Sequence, residues 1–455
     1  MGTAQGQARW AATLTEGPIG RTLARLTVPM VAGIAGMVAF NLTDTFFIGR
    51  LGTKELAAIG FTFPVVTFIV RISMGIGIGA SAVISRAVGR GDRRAVRRLT
   101  TDSLSLAIIT VALFVAGGFL LMGPVFRVLG AEGEILALVR QYMTIWIFGA
   151  LFVVFPMVSN NAIRANGDMK TPALIMIVAV VVNIGLDPLL IFGIGPFPRL
   201  ELAGAALATV IARAVSLVVS FWVVCIRRGM VTFERRPLIE ILDSWRGILY
   251  VGIPAAASRV LVPLGIAVVT GIIAAGGPAG VASFGVATKI EFLAMAVIFA
   301  LSSVLGPFTG QNWGAGRLDR LGRAISLANR FSFLWGLGAF AALAVGSRWI
   351  AHVFTDDPVV AGGIVTYLRT VAAAYCLYGV FVTSSFVMNV LHRPLHASAL
   401  AIGQTFLLTV PMVWVGWRIG GLAGGFAGIG ASYAIAGVVA RLVLGRILAR
   451  LEPRG

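Results

Sequence analysis

The chain alternates between long apolar blocks and short polar gaps. Most blocks contain about 20 or more apolar residues, the length that crosses a bilayer as an α-helix. Lipid offers no hydrogen-bond partner to the backbone, so such blocks predict helices. The twelve blocks are 21–47, 56–84, 99–123, 135–158, 172–194, 202–226, 246–272, 281–308, 324–345, 361–389, 396–417 and 425–449. The pattern predicts an all-α integral membrane protein with twelve transmembrane helices.

Positive charge is concentrated in every second gap. These basic residues are Arg86, Arg90, Arg93, Arg94, Arg97, Arg98, Arg164, Lys170, Arg227, Arg228, Arg235, Arg236, Arg317, Arg320, Arg323, Arg393, Arg446, Arg450 and Arg454. The gap after the seventh block, AAGGPAG, carries no charge. By the positive-inside rule, the basic gaps and both termini are expected in the cytoplasm. We therefore expect a multi-pass protein of a prokaryotic plasma or inner membrane.

Glycine, proline and alanine positions of the first half recur in the second half at one constant shift. The matched pairs are Pro29/Pro254, Gly52/Gly277, Ala57/Ala282, Gly60/Gly285, Gly89/Gly314 and Gly91/Gly316. This shift, the repeat offset, predicts two pseudo-symmetric six-helix bundles in parallel topology around a central cleft. The predicted divisions are a cytoplasmic segment 1–20, a lobe 21–226, a cytoplasmic linker 227–245, a lobe 246–449 and a tail 450–455.

The composition limits the classes of binding partner that the protein can have. Hydrophobic residues make up 58% of the chain and charged residues 12%, so lipid is the expected solvent. The net charge of +19 suggests nucleic acid in a soluble protein, but here the charge lies mostly in the gaps, where anionic lipid headgroups account for it. No phosphate-binding loop, metal-ligand spacing or catalytic cluster is visible. We therefore expect no nucleic acid, no cofactor, no metal centre and no enzyme activity, and we expect a monomer.

Two carboxylates fall inside apolar blocks. An ionised carboxylate near the middle of a bilayer costs on the order of 3 kcal/mol, so such a residue is a functional-site hypothesis by default. Asp44 lies among Phe40, Phe46 and Phe47, and Asn41 stands three residues before it on the same helical face. A structural aspartate near a helix end is the alternative.

The second carboxylate, Asp187, stands four residues after Asn183, so both project from one face of the fifth helix. Pro188 follows and frees the carbonyl of Ile184, which favours a bend beside the carboxylate. An Asp-Pro turn near the helix end is the alternative. On the fourth helix, Asn160 and Asn161 are adjacent and cannot both face one site.

Several motifs together resemble the multidrug and toxic compound extrusion (MATE) family. They are LGTKELAAIGF and VGRGDRR in the first half, GGPAGVASFGV and GQNWGAGRLDR in the second, and FNLTDTFFIGRLG, RANGDMKTP and NIGLDPL. The resemblance covers about residues 18–450. It implies an antiporter that exports amphipathic, often cationic compounds against protons or sodium. It places the ion-coupling residues at Asp44, Asn160, Asn183, Asp187 and Thr209. Phe40, Asn41 and Phe47 are the candidate substrate contacts.

The second half lacks the equivalent acids. At the repeat offset Asp44 corresponds to Val269, and at the slightly different shift that aligns Pro188 with Pro411, Asp187 falls at about Val410. The seventh and tenth helices contain no acid either, so we expect ion coupling to reside in the first half. Glu291, near Lys289, is left for a structural bond across the halves or for coupling.

We expect proton coupling. Sodium held by Asp44, Asn183 and Asp187 is the alternative, because carboxylate and amide oxygens are hard ligands. A flippase for lipid-linked sugars of the same superfamily is the more distant alternative.

Overall fold

A computed structural model describes residues 13–451 of the chain, apart from the side chains at positions 53 and 56. Residues 1–12 and 452–455, which include most of the predicted N-terminal segment and tail, lie outside the described residues. The described part is helical almost throughout, as the length of the apolar blocks predicted. The helices are α1 Ile19–Gly49, α2 Thr53–Gly89, α3 Arg93–Val128, α4 Gly133–Phe148, α5 Ala150–Ala165, α6 Lys170–Phe192, α7 Glu201–Phe221, α8 Leu238–Ala274, α9 Pro278–Gly314, α10 Leu318–Phe354, α11 Pro358–Thr370, α12 Tyr375–Val390, α13 Pro394–Gly403 and α14 Val410–Ala449.

Some of the predicted spans consist of two helices. α4 and α5 meet at a bend of 45° beside Gly149. A 3₁₀ turn joins α11 to α12, and a π-helical turn, Gln404–Thr409, joins α13 to α14. α14 is itself broken at Gly420 and Gly421, because Gly421 has φ of 55°, a left-handed conformation that side chains with a Cβ rarely adopt. Counted across these joints, the described helices form twelve spans, and the predicted fold class is confirmed.

The repeat offset also relates the points where helices begin and end. α2 and α9 are both 37 residues long, and the first and last residues of one map onto those of the other. Both are followed by a left-handed glycine, Gly91 with φ of 71° and Gly316 with φ of 70°. The N–H of Gly91 donates to the carbonyl of Val88, and that of Gly316 donates to the carbonyl of Trp313, so the two bonds are related by the same shift.

The chain forms two compact units. One contains Val28–Ala256, and the other contains Leu14–Thr27 and the residues from Ala257 onward. The helices α1 and α8 are therefore each shared between the two units. Each unit has its own apolar core, one built from residues between Ile48 and Ile248 and the other from residues between Val269 and Ala440. Many large apolar side chains remain exposed, among them Leu113, Leu120, Val128, Val345 and Leu442, as expected where lipid is the solvent.

Two aspartates, one buried and one half-buried, anchor the connecting segments of the first unit. Arg236, in the predicted linker, binds both carboxylate oxygens of Asp102, which is only 1% exposed, with distances of 2.7 and 3.2 Å. Asp168 accepts hydrogen bonds from the backbone N–H and hydroxyl of Thr171 and pairs with Arg228 at 2.5 Å. Burial raises the pKa of Asp168, but the bonds from Thr171 and Arg228 outweigh it, and the pKa lies below its usual value.

Candidate cation-coupling site

The two intramembrane aspartates of the first unit lie at the same height because α1 and α6 run parallel. Gly33 of α1 lies against Ala173 and Met176, and Gly36 lies against Ile177 and Val180, so the contacts advance in the same direction on both helices. The rings of Phe47 and Phe192 continue this register, with centroids 6.1 Å apart. Asp44, three residues before Phe47, therefore stands level with Asp187 and interacts with it electrostatically.

Asp187 and Asn183 form a buried pair. Both are 0% exposed, and the Asn183 amide Nδ2 donates to Oδ1 of Asp187 at 3.1 Å. The spacing of four residues brings them together on one face of α6. Pro188 lies directly after this pair, inside α6. α6 nevertheless continues to Phe192.

The site is rich in acceptors and poor in donors. Four buried oxygens have no hydrogen-bond partner among the described residues: Asp44 Oδ1, Asn160 Oδ1, Asn183 Oδ1 and Asp187 Oδ2. A buried acceptor without a donor costs about 1–3 kcal/mol, and more when it is charged. Such a group of oxygens is suited to a cation, because a proton or a metal ion satisfies acceptors that the protein leaves unpaired.

Tyr142 of α4 is a further residue of the site, and nothing in the sequence singled it out. It is 7% exposed and interacts electrostatically with both Asp44 and Asp187. A phenol at this position offers the one kind of group that the carboxylates lack, a hydrogen-bond donor. Its signal in the sequence is weak, because aromatic residues are common in apolar blocks.

Arg213 was also missed. It lies in the middle of α7, and its guanidinium stands 5.2 Å from the ring centroid of Phe40, which is buried on α1 one helical turn before Asp44. No carboxylate of the described residues forms an ion pair with it. The sequence signal was present, since an arginine inside an apolar block is a functional-site hypothesis in its own right.

The remaining predicted residues are placed as follows. Asn160 is half-buried on α5, and Thr209 is buried on α7, which packs along α6. Asn41 does not bond Asp44 as its spacing suggested: it is exposed, and its amide donates to the carbonyl of Met37 at 2.8 Å. A side-chain amide on a helix can donate to the backbone carbonyl one turn before it, and the amide of Asn41 is satisfied in this way.

A model of the MatE family matches the chain twice, at residues 29–189 and 254–415. The chain belongs to the MATE family. The starting points of the two matches are related by the repeat offset, the same shift that relates the helices. A MATE protein is a multi-span membrane transporter and not an enzyme, so both predictions are confirmed.

Relatives cover nearly the whole MATE chain. The FAD transporter of Shewanella oneidensis is 36% identical over 411 residues, which are 90% of this chain and 91% of that protein. The probable multidrug resistance protein NorM of Thermotoga maritima is 25% identical over 345 residues, 75% of this chain and 73% of its own. The crystal structure of the Vibrio cholerae MATE transporter VcmN in the bent form matches with a TM-score of 0.91 at 29% identity, covering 95% of this chain and 98% of that one.

The second unit of this MATE protein holds a carboxylate of opposite character. Glu291 on α9 accepts three hydrogen bonds, from the hydroxyls of Tyr367 at 2.6 Å, Tyr375 at 3.2 Å and Tyr433 at 2.9 Å. All three donors belong to the same unit as Glu291, so the bond across the halves that we considered from the sequence is wrong. A carboxylate with three phenol donors is satisfied as an anion, unlike Asp187.

Proposed function

We propose that this MATE protein exports organic compounds by proton antiport, with Asp44 and Asp187 carrying the proton. The observation that supports the proposal is the pair of level carboxylates in the first unit, each of which has a buried oxygen without a hydrogen-bond partner among the described residues. Protonating either aspartate removes a charge that the surroundings do not compensate, and it turns one acceptor into a donor. Asn160, Asn183, Thr209 and Tyr142 would then shift their bonds to the new donor, which couples protonation to helix position.

The side chains of this site suit a proton better than a sodium ion. Sodium would draw its ligands from Asp44, Asn183 and Asp187, but the direct bond from the Asn183 amide to Asp187 directs a donor at the same carboxylate. A donor next to the carboxylate competes with a metal cation and is compatible with a shared proton. We further propose a monomer in a bacterial plasma membrane with both termini in the cytoplasm, as the basic gaps indicate.

Transport by purified protein in liposomes tests the proposal. An outward substrate movement driven by a pH gradient in sodium-free buffer is the expected result. Asp44→Asn should abolish it at equal expression, because a neutral isostere cannot bind and release a proton. Asp243→Asn is the matched control, since Asp243 is an exposed aspartate of the same unit. Transport that requires a sodium gradient would contradict proton coupling but retain the site. Full activity of Asp44→Asn would contradict the site itself.

The substrate has two candidate classes. Amphipathic cationic drugs, contacting Phe40 and Phe47, are the expectation from the family and from relatives named as multidrug resistance proteins. The Arg213–Phe40 pair favours a second class, aromatic anions of the kind that the name of the Shewanella relative suggests, such as FAD. A buried guanidinium over an aromatic ring can bind a phosphate on one side and leave the ring to stack with an aromatic base.

Substitution of Arg213 separates these classes. We expect Arg213→Gln to weaken FAD transport by about 30-fold, the equivalent of the roughly 2 kcal/mol of a hydrogen bond between the guanidinium and a charged phosphate. Arg213→Lys, which keeps the charge, should recover part of it. A cationic dye such as ethidium should be transported at least as well by Arg213→Gln as by the natural chain. Transport of the dye alone by the natural chain would exclude the anionic class.

A further inference from the structure

A groove on the second unit runs between α10 and α14, and α12 forms its floor. Glycines let both helices approach the floor closely: a Cβ at Gly336 would meet the backbone of Cys376, and one at Gly437 would meet the carbonyl of Leu377. The space that remains between α10 and α14 is about 440 Å³. Ligand sites are roughly 300–1,000 Å³ in volume, so the groove is of binding size.

The two ends of the groove differ in chemistry. The part of its walls away from the polar end is apolar and exposed, formed by Phe333 and Leu334 of α10 and by Val438 of α14. Its other end is polar, formed by Asn329, Arg330 and Arg441. An amphipathic molecule with an apolar tail and a negatively charged head matches this division.

The polar end faces the side of the membrane that carries the basic gaps. α10 begins next to Arg317, and α14 ends a turn after Arg446. Arg330 lies about 18 Å from the start of α10, and Arg441 lies about 12 Å from the end of α14, at about 1.5 Å per residue. α10 spans about 55 Å, roughly 25 Å more than the hydrocarbon core. Both arginines therefore fall near the headgroups of the cytoplasmic leaflet.

The polar end also offers donors that the protein does not use. Asn329 is only 6% exposed, and its Oδ1 accepts from the hydroxyl of Thr383 at 2.7 Å. The Nδ2 of Asn329 is also buried and has no hydrogen-bond partner among the described residues. Neither Arg330 nor Arg441 pairs with a carboxylate of the described chain. A buried amide donor beside two unpaired guanidinium groups is a site for an oxyanion.

We infer that this groove binds one anionic phospholipid of the cytoplasmic leaflet. Its phosphate is held by Arg330, Arg441 and the amide of Asn329, and an acyl chain lies along Phe333 and Val438. Basic sites between helices on the cytoplasmic side select anionic headgroups. A soluble phosphate would use only the polar end and would leave the apolar walls uncovered, so the lipid is the occupant that uses the whole groove.

Native mass spectrometry of the delipidated full chain tests this inference. The probes are phosphatidylglycerol, phosphatidylcholine and inorganic phosphate. We expect phosphatidylglycerol to bind about tenfold or more tightly than phosphatidylcholine, and inorganic phosphate not to displace it. The double variant Arg330→Gln/Arg441→Gln should weaken phosphatidylglycerol about 30-fold, from a contribution of about fivefold for each arginine near the membrane surface.

The matched control is Arg348→Gln/Arg446→Gln. It makes the same change of charge with exposed arginines on the same two helices, outside the groove. It should leave the affinity for phosphatidylglycerol within twofold of the natural chain. Equal weakening by both double variants would overturn the inference, because it would reflect net charge and not a site. Equal affinity for both lipids, or displacement by inorganic phosphate, would overturn it as well.

A single substitution tests the amide. Asn329→Asp keeps the oxygen that accepts from Thr383 but replaces the free donor with a negative charge. We expect it to lose phosphatidylglycerol binding while its melting temperature in detergent stays within a few degrees of the natural chain. Undiminished binding by Asn329→Asp would remove the amide from the site and contradict the proposed position of the phosphate.

Discussion

Replacing Asp187 with asparagine should separate stability from transport. The carboxylate is fully buried, and within the described residues one of its oxygens has no donor and its only direct hydrogen bond comes from Asn183. An acid at mid-membrane costs about 2.5–3.5 kcal/mol when ionised. Asparagine removes that cost but weakens the bond from Asn183, because a charge-assisted bond is worth about 1–1.5 kcal/mol more than a neutral one. The net expectation is a gain of about 1–2.5 kcal/mol for Asp187→Asn.

Such a gain should raise the melting temperature by roughly 2–10 °C, at about 2–4 °C per kcal/mol for a unit of this size. Melting in lipid nanodiscs, followed across a pH series, measures it. The difference should be largest at high pH, where Asp187 is ionised, and shrink on acidification, because protonated Asp187 carries no charge. Asp243→Asn should melt like the natural chain at every pH.

Transport should be lost in the same protein that has become more stable. A variant of Asp187→Asn that melts several degrees below the natural chain would refute the reasoning, because it would mean that the carboxylate is well compensated where it lies. Unimpaired transport driven by a pH gradient would refute the assigned role of Asp187.

Three further predictions concern side chains around this site and its supports. Tyr142→Phe keeps the ring and removes the donor, so the initial rate under a pH gradient should fall up to about tenfold, and a natural rate would exclude the hydroxyl from the mechanism. Arg236→Gln leaves the buried Asp102 without a countercharge and should cost about 3–5 kcal/mol in thermal unfolding, whereas Arg235→Gln on the exposed neighbour should cost under about 0.5 kcal/mol; equal melting of the two would contradict this. The lowered pKa of Asp168 means that its contribution to stability is present above the pKa it has in the unfolded chain and is lost as the pH falls through its lower folded value. The melting temperature of the natural chain should therefore drop below about pH 4, and that of Asp168→Asn should start lower and drop less; parallel curves would count against this linkage.

The spans could be predicted because length and hydropathy decide them in a bilayer. The Gly-rich gap between the eleventh and twelfth blocks predicted two separate spans, and the backbone does reverse there: α14 is broken at Gly420 and Gly421, and Gly416 before the break lies against the carbonyl of Gly424 after it. The bend at Gly149 was not predicted, because the fourth block is apolar on both sides of it. No pattern of apolar residues distinguishes a straight helix from one that bends sharply.

The candidate site was predictable only as far as charge was visible. Asp44 and Asp187 stood out as acids in apolar blocks. Their common height follows from the parallel register of α1 and α6, and a single amino-acid sequence does not show which residues of two helices lie side by side. The spacing of Asn41 placed it on the face of Asp44 and could not show that its amide turns to the backbone of Met37. Arg213 was overlooked because most arginines of this chain do lie in the gaps.

The repeat offset allows each position of one half to be compared with the equivalent position of the other half. Tyr142 corresponds to Tyr367, and each tyrosine addresses the carboxylate group of its own unit. Asp44, by contrast, corresponds to Val269, which is buried at 2% exposure and serves the core. The two copies thus share the phenol beside the carboxylate and differ at the position of Asp44, so their divergence in chemistry lies in the acids. The same fold thus holds Glu291, which accepts hydrogen bonds from three donors, in its second copy. In its first copy it holds acids whose oxygens are partly unpaired.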